Sequence, residues 1–154
     1  IYRGRRIDWS DGRRCRPILR PAKDADTMAL REFAPELAEA LDVAATRADL
    51  QVALTNQENT EIVQSMSGAF GYAPRAQLES ERSRLRILRF NGVEPTTSML
   101  AAGRYPLALS FSLVIRPDPA DEAIPFVEFV FSATGRTIIE RSGNLAVTGW
   151  PPAP

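Results

Sequence analysis

Apolar residues recur with two different spacings along this chain, and the change between the two constrains the fold more than any other feature. Residues 15–20, 51–55 and 68–73 are short apolar runs of strand length. From Asp26 onward, between the first two runs, apolar residues recur every three or four positions, as in an amphipathic helix. Strands that alternate with helices predict an α/β fold with a mixed sheet flanked by helices.

One further segment has the strongest alternation in the sequence. From Leu107 to Ile115 large apolar residues occupy every second position, and the residues between them are Ala, Ser or Val. A period of two with small residues on the second face is typical of a strand covered on both sides. The pattern predicts a strand in the middle of the sheet over 107–115.

Local signals predict where several elements begin and end. Pro17 indicates an edge strand or the start of a strand, and Pro35 indicates either two helices or one kinked helix. Asn59 or Thr60 is suited to cap the helix that follows 51–55. Arg82, Arg84 and Arg86 alternate with Ser83, Leu85 and Ile87, which predicts a strand with a solvated basic face.

The last third of the chain predicts one apolar helix. Pro125 fits the first turn of a helix over 126–131, and that helix is apolar enough to require cover on most sides. Gly135 fits its C-terminal cap. The segment 149–154 is rich in proline and predicts no regular structure.

Composition excludes several functional classes. The chain has no His and a single Cys, Cys15, so the commonest general base and the usual zinc ligands are missing. No spacing of carboxylates supports an enzyme, and the sequence predicts no catalytic residue, metal or cofactor. The 19 basic and 19 acidic residues balance, which argues against a nucleic-acid partner. No run is long enough to cross a membrane.

The charges are nevertheless unevenly distributed. Residues 1–20 hold seven Arg and two Asp, whereas residues 24–66 hold nine carboxylates and two Arg. The first segment is therefore basic and the next acidic.

Four segments of the sequence carry a family resemblance: IYRGRRIDWSDGR at 1–13, GAFGYA at 68–73, NGVEPTTSMLAAGRYPLALSFSLVI at 91–115 and FVEFVFSATGRTIIERSGNLAV at 126–147. In this order they resemble the later part of the phosphate-binding-protein-like periplasmic receptors, the substrate-binding components of ABC importers. It implies a type II periplasmic binding protein-like lobe that binds a solute without chemistry. The implied partners are a small phosphate-like oxyanion and a membrane permease, and the implied location is the periplasm.

The resemblance also implies how the chain is divided. Residues 16–105 would form the second lobe of a two-lobed receptor, and residues 106–150 a return strand with C-terminal helices. The N-terminal lobe, with the signal sequence before it, would be absent. Because the apolar helix would have lost the lobe that it packs against, we expect the chain to self-associate.

The site that the resemblance implies lies where the family has an Arg followed by a Ser-Gly-Thr turn at the start of a helix. The corresponding stretch runs from Arg20 to Thr27, and those two residues match the family pattern. Ala25 and Asp26 stand where the family has Ser and Gly, and Asp24 adds a carboxylate. Two like charges about 4 Å apart repel by about 4 kcal/mol at an effective dielectric constant of 20, so these carboxylates would weaken phosphate binding unless the ligand donates a proton.

The candidate ligand-binding residues are therefore Arg20, Asp24, Asp26, Thr27 and, from a second polar turn, Asn56. A structural interpretation competes with this one: Asp24 or Asp26 caps the helix and pairs with Arg20. The functional alternative is a regulatory or protein-interaction domain on the same fold that does not bind phosphate.

Overall fold

A computed structural model describes residues 1–116 and 123–147, and these residues form two compact units. The first unit contains Ile1–Pro74, Arg82–Arg86 and Pro106–Leu109; the second contains Arg75–Glu81, Ile87–Tyr105 and the residues from Ser110 onward. The proline-rich segment 149–154 lies outside the described residues. The predicted division into a lobe over 16–105 and a return segment over 106–150 stays a prediction.

Strands and helices alternate in the first unit, as the sequence predicts. In chain order its elements are β1 (Arg16–Leu19), α1 (Ala25–Phe33), α2 (Pro35–Ala45), β2 (Gln51–Val52), α3 (Asn56–Ser65) and β3 (Ala69–Phe70). The predicted α/β fold class is confirmed. The predicted start of a helix near Asp26 is confirmed as well.

In the described residues the three strands form a sheet in the order β2-β1-β3 in which both pairings are parallel, so the sheet is not the mixed one that was predicted. Ile18 and Leu19 of β1 pair with β2, whereas Arg16 and Pro17 pair with β3. Pro17 therefore lies at the start of the central strand, so the predicted strand start is confirmed and the alternative of an edge strand is wrong. A proline fits there because β2 pairs only with the later residues of β1, so no ladder bond to β2 is lost at Pro17.

The two helices after β1 cover one part of the core. Pro35 begins α2, and the extended backbone of Ala34 separates the helix from α1, so two helices form rather than one kinked helix. Leu19, Leu41 and Ala44 form a buried cluster against which Tyr2, Leu30, Leu37 and Leu50 pack. The N-terminal segment is attached beside this cluster, because the Arg47 guanidinium donates to the carbonyls of Ile1 and Tyr2.

The second unit contains four helices among its described residues: α4 (Arg75–Ser80), α5 (Thr97–Ala101), α6 (Ala123–Phe131) and α7 (Ala133–Arg141). Pro125 lies in the first turn of α6, as predicted. Gly135 does not cap α6, so that prediction is wrong: α6 ends at Phe131, Ser132 caps α7, and the Gly135 amide donates to the Ser132 hydroxyl.

The strand predicted over 107–115 is not formed. These residues have no regular structure, and side chains from both expected faces are exposed: Phe111 by 77% and Val114 by 92%. An isolated strand leaves its N–H and C=O groups without partners, and no strand of the described residues pairs with this segment. The alternation of large and small residues was therefore not sufficient to predict a strand over 107–115.

The alternating arginines at 82–86 form no strand either. Arg82, Arg84 and Arg86 are exposed, as a solvated basic face requires, but the backbone around them is irregular, and Arg82 has a φ of 51°. A left-handed residue interrupts the extended conformation that a strand needs.

The apolar helix α6 is only partly covered. Val127 is 2% exposed, but Phe126 and Phe129 are 59% and 49% exposed. The self-association expected from this helix stays a prediction. In the part of the chain that the structure describes, no helix has the length and the apolar character needed to cross a bilayer.

Candidate functional site

Three parallel strands bring their carboxyl ends to one edge of the sheet. Arg20 follows β1, Ala53 follows β2, and Tyr72 follows β3 after one intervening glycine. The chain passes from β1 to β2 on one side and then crosses to β3 on the other side, so the direction of winding reverses between β1 and β3. In open α/β sheets, ligands bind in the crevice outside the carboxyl ends of the strands at this kind of reversal.

Arg20 is the centre of this edge. Its side chain is only 3% exposed, and its guanidinium donates from Nη1 to the Ala53 carbonyl (3.1 Å) and from Nη2 to Oδ1 of Asp24 (2.6 Å). Nε of Arg20 is buried and has no hydrogen-bond partner in the part of the chain that the structure describes. A buried guanidinium that retains an unused donor is a group that could bind a ligand oxygen.

Asp24 ends the loop after β1 and begins α1. Its extended backbone and its Oδ2, which accepts from the Asp26 amide at 3.2 Å, make it the N-cap of the helix. The same carboxylate pairs with Arg20, so the competing structural interpretation holds for Asp24 and not for Asp26. Asp24 therefore places a negative charge at the helix N-terminus, where the helix dipole favours an anion.

Asp26 lies in the first turn of α1 and is half-buried. Burial raises the pKa of its carboxyl above the usual value, the Asp24 carboxylate raises it further, and the Arg20 guanidinium partly opposes both effects. The two carboxylates thus repel each other at the start of the helix.

Thr27 and Tyr72 join α1 to the end of β3. The Thr27 hydroxyl is buried and lies 2.7 Å from the Tyr72 hydroxyl, which also accepts from the Arg20 amide at 3.3 Å. Burial raises the pKa of the Tyr72 phenol, although its hydrogen bonds to Thr27 and Arg20 oppose the shift. The phenol therefore stays protonated at neutral pH and can donate to Thr27.

Asn56 lies at the same edge but on another helix. It is the first residue of α3, and its Oδ1 is buried without a hydrogen-bond partner within residues 1–116 and 123–147. No hydrogen bond connects it to Arg20 or to the residues of α1 in the described part of the chain. The predicted cap of this helix is wrong, because Thr55 caps α3 through the Glu58 amide, whereas Asn59 and Thr60 are buried inside the helix.

The structure thus brings Arg20, Asp24, Asp26 and Thr27 together and places Asn56 near the same sheet edge on α3. Whether these residues bind a ligand stays a prediction. Sequence reasoning missed Tyr72, because a side chain just after the third strand lies at the edge where Arg20 lies only if that strand is parallel to β1, and the sheet was predicted to be mixed. It also missed Asn59, whose Nδ2 donates to the Tyr72 carbonyl at 3.1 Å.

A cavity of about 220 Å³ in the first unit lies away from this edge. It is lined by Ala29, Glu32 and Phe33 of α1 and by residues 106–108. Its one ionisable lining residue is Glu32, which offers little to orient a ligand. The carboxyl edge of the sheet is therefore the better candidate for a site.

An α/β unit with buried polar groups at a winding reversal has the architecture of a ligand-binding lobe. Comparison with solved structures specifies it further: the chain has the fold of phosphate ABC transporter substrate-binding proteins. This finding confirms, at the level of the fold, the resemblance seen in the sequence.

Three solved structures carry this comparison. A protein described as a phosphate ABC transporter substrate-binding protein from Clostridium perfringens, with bound phosphate, has a TM-score of 0.77 and 18% identity over 96% of this chain and 60% of its own. PstS from Borrelia burgdorferi has a TM-score of 0.60 and 19% identity over 95% of this chain and 60% of its own. A phosphate-binding protein of a phosphate ABC transporter from Streptococcus pneumoniae has a TM-score of 0.58 and 18% identity over 88% and 55%.

The chain spans about three fifths of the length of these neighbours. No protein-family model matches the sequence, and no curated protein matches it.

Proposed function

We propose that this chain is the later part of an extracytoplasmic solute receptor, with its second lobe over 16–105, and that the receptor binds a phosphate-like oxyanion without chemistry. The observation that carries the proposal is the buried Arg20, whose Nε has no partner among the described residues, beside the N-terminus of α1 at the winding reversal of the sheet. A guanidinium and helix N–H groups together provide charge-assisted hydrogen bonds to an anion. Two of the three structural neighbours are described as a substrate-binding protein and a phosphate-binding protein of phosphate ABC transporters, and they support a binding role.

The proposed function implies a transport partner, a location and an affinity. The ligand would be handed to the membrane permease of an ABC transporter, and the protein would act in the periplasm. A receptor of this class closes two lobes on its ligand, so one lobe supplies only part of the contacts. We expect the 154-residue chain alone to bind phosphate or sulfate with a dissociation constant of about 1 mM or weaker.

Asp24 determines how well the site can serve an anion. Its carboxylate already occupies the cap of α1 and the Nη2 donor of Arg20, so a bound oxyanion would lie next to a like charge. At about 4 Å this repulsion is about 4 kcal/mol at an effective dielectric constant of 20. Asp24→Asn keeps a cap oxygen but removes the charge, so the oxyanion proposal requires tighter phosphate binding by this variant.

The experiment is a titration of the chain with phosphate, followed by the NMR shifts of the Asp26 and Thr27 amides. We expect weak, saturable shifts in the natural sequence and at least tenfold tighter binding by Asp24→Asn. Asp42→Asn is the matched control, because it removes an equal charge from the surface pair with Arg31 and should leave the affinity unchanged. Absence of saturable shifts in all three proteins, with phosphate, sulfate, molybdate and tungstate alike, would contradict the proposal.

A second function is favoured by the same ion pair. Because Asp24 supplies an internal anion to Arg20 and to α1, the site as it stands is already neutralised. This arrangement supports a regulatory or protein-interaction domain on the same fold that has lost phosphate binding. In that case Asp24→Asn would gain no phosphate affinity.

The self-association that we expect from α6 belongs to the same proposal. Phe126 and Phe129 present apolar surface that a first lobe would cover in a two-lobed receptor. Sedimentation of the chain over a range of concentrations should show a dimer or larger species, and Phe126→Ser with Phe129→Ser should shift the equilibrium toward monomer. A strict monomer at high concentration would count against it.

A further inference from the structure

The N-terminal segment of the first unit folds back on itself immediately before β1. Asp8 and Arg14 form an antiparallel bridge, the Cys15 amide donates to the Ile7 carbonyl at 2.6 Å, and the Trp9 amide donates to the Arg13 carbonyl at 2.7 Å. Gly12, with a φ of 82°, makes the reversal between the two arms. Residues 6–16 thus form a short hairpin whose second arm continues into the central strand of the sheet.

The two faces of this hairpin differ in character. Side chains alternate along each arm, and the Asp8–Arg14 bridge places Arg6, Arg14 and Arg16 on the same face as Asp8. Side chains of the opposite face are directed inward. Cys15 is 7% exposed. Trp9 packs edge-on against Phe70, and its indole N–H donates to the Gly68 carbonyl. We call the outward side, formed by Arg6, Arg14 and Arg16, the arginine face.

Asp8 shares the arginine face, so its three arginines leave a net positive charge there. All three side chains are exposed, and in the described residues none of them forms an ion pair with a carboxylate. Nε of Arg6 donates to the Asp8 carbonyl (3.3 Å) and Nη1 of Arg16 to the Ser67 carbonyl (2.9 Å), so main-chain oxygens orient these guanidinium groups without cancelling their charge.

The charged neighbours of the arginine face change its net positive charge little. Arg5, which precedes it, is also exposed and unpaired among the described residues. Asp49 interacts electrostatically with Arg14, but its carboxylate is already paired with Arg47 at 2.7 Å. Arg13 is paired with Asp11 at 2.7 Å. Asp8 is therefore the one carboxylate that the hairpin adds to this face.

The arginine face and the candidate site lie at opposite ends of the same strand. Arg16 begins β1, and Arg20 follows its last residue, so the strand separates the two by roughly 13 Å at about 3.3 Å per residue. A partner bound at the arginine face would leave the carboxyl edge of the sheet open to its ligand.

We propose that the arginine face binds the surface of an anionic phospholipid bilayer. Guanidinium groups match phosphate oxygens in a bidentate geometry, and several of them together bind a surface rich in phosphate more strongly than one does. The arginine face itself contains no aromatic or aliphatic residue: Trp9 is directed inward, and Ile7, which is 45% exposed, lies on the opposite face of the hairpin. Stable protein interfaces are centred on such anchors. A flat anionic surface is the partner that such a face fits, and this inference stands apart from the proposed oxyanion site.

The test measures binding of the 154-residue chain to phosphatidylcholine vesicles with and without phosphatidylglycerol. We expect binding only to the vesicles that contain phosphatidylglycerol, and a steep loss when NaCl rises from about 0.05 to about 0.5 M. The variant Arg6→Gln with Arg14→Gln and Arg16→Gln should bind roughly a hundredfold more weakly. The variant Arg82→Gln with Arg84→Gln and Arg86→Gln removes an equal charge from three other exposed arginines and should change binding less than threefold.

Circular dichroism establishes that both triple variants are folded, and the salt dependence of the unaltered chain tests the proposal even if the first variant is not. Equal losses in the two variants would overturn the proposal, as would equal binding to neutral vesicles or equal affinity for duplex DNA. Self-association in the absence of vesicles that the first variant abolishes would also overturn it, because the face would then bind a second copy of the chain.

Discussion

The Thr27 hydroxyl lies 2.7 Å from the Tyr72 hydroxyl and so connects the first turn of α1 with the end of β3. The same phenol oxygen accepts from the Arg20 amide, which follows β1. Three segments that are distant in the sequence therefore meet at one oxygen atom. This contact holds the N-terminus of α1 at the winding reversal of the sheet, beside Arg20.

Substitution of this pair should reveal coupling between helix and sheet. We expect Thr27→Val and Tyr72→Phe each to lower the free energy of unfolding by about 1–2 kcal/mol, because each leaves a buried partner less well satisfied. The double variant should cost about 1 kcal/mol less than the sum of the two, since they remove one shared contact. Urea denaturation of the four proteins gives the cycle, and strictly additive effects would contradict the coupling.

Arg20 should contribute far more to stability than a surface arginine does. Arg20→Met leaves the carboxylate of Asp24, whose side chain is 21% exposed, and the buried Ala53 carbonyl without their donor, so we expect a loss of about 2–4 kcal/mol. Arg31→Met breaks the Asp42 pair, in which both partners are more exposed, and should cost no more than about 1 kcal/mol. Equal losses in denaturant unfolding would show that burial of Arg20 has no energetic weight.

The two aspartates Asp26 and Asp42 should titrate on opposite sides of the usual value. Burial and the Asp24 carboxylate raise the pKa of Asp26, whereas the hydrogen bond from Arg31 lowers the pKa of Asp42. Carbon-detected NMR of the side-chain carboxyl groups measures both directly. A pKa of Asp26 below that of Asp42 would contradict the local electrostatics.

The raised pKa of Asp26 also makes the stability of the protein depend on pH. A group that binds its proton more tightly in the folded state favours folding below its unfolded pKa, and that contribution is lost as pH rises through the folded pKa. The unaltered chain should therefore lose stability relative to Asp26→Asn over this acidic window. A difference between the two proteins that is constant across the window would show that Asp26 has the same pKa folded and unfolded.

The sequence allowed good prediction of features that depend on neighbours along the chain. Pro35 and the polar residues before α1 located the helix boundaries there, and the short apolar runs located all three strands. The position of Pro17 in the central strand was not predictable, because it depends on β2 pairing only with the later part of β1. Similarly, the alternation at 107–115 describes two faces but cannot supply the neighbouring strand that pairs with them.

At the candidate site, the residues of one helix start were predictable and those from other elements were less so. Arg20, Asp24, Asp26 and Thr27 lie within eight residues, so a sequence motif was sufficient to predict that they lie close together. Tyr72 lies beside them only because β3 pairs with β1, and no local sequence pattern predicts that pairing.

Gly135 shows how one residue type can serve two purposes, and it permits a sharp test. A glycine after an apolar helix suggests a C-terminal cap, but the Cβ of any other residue at 135 would overlap the Phe129 carbonyl oxygen and lie 2.5 Å from that of Val130. Such distances are far below van der Waals contact, so α6 and α7 would have to move apart.

Alanine usually stabilises a helix by about 1 kcal/mol relative to glycine. Here we expect the reverse, a loss of about 2 kcal/mol or more from overpacking in Gly135→Ala. Thermal unfolding measures it, and an unchanged or raised melting temperature would show that the two helices are not held so closely.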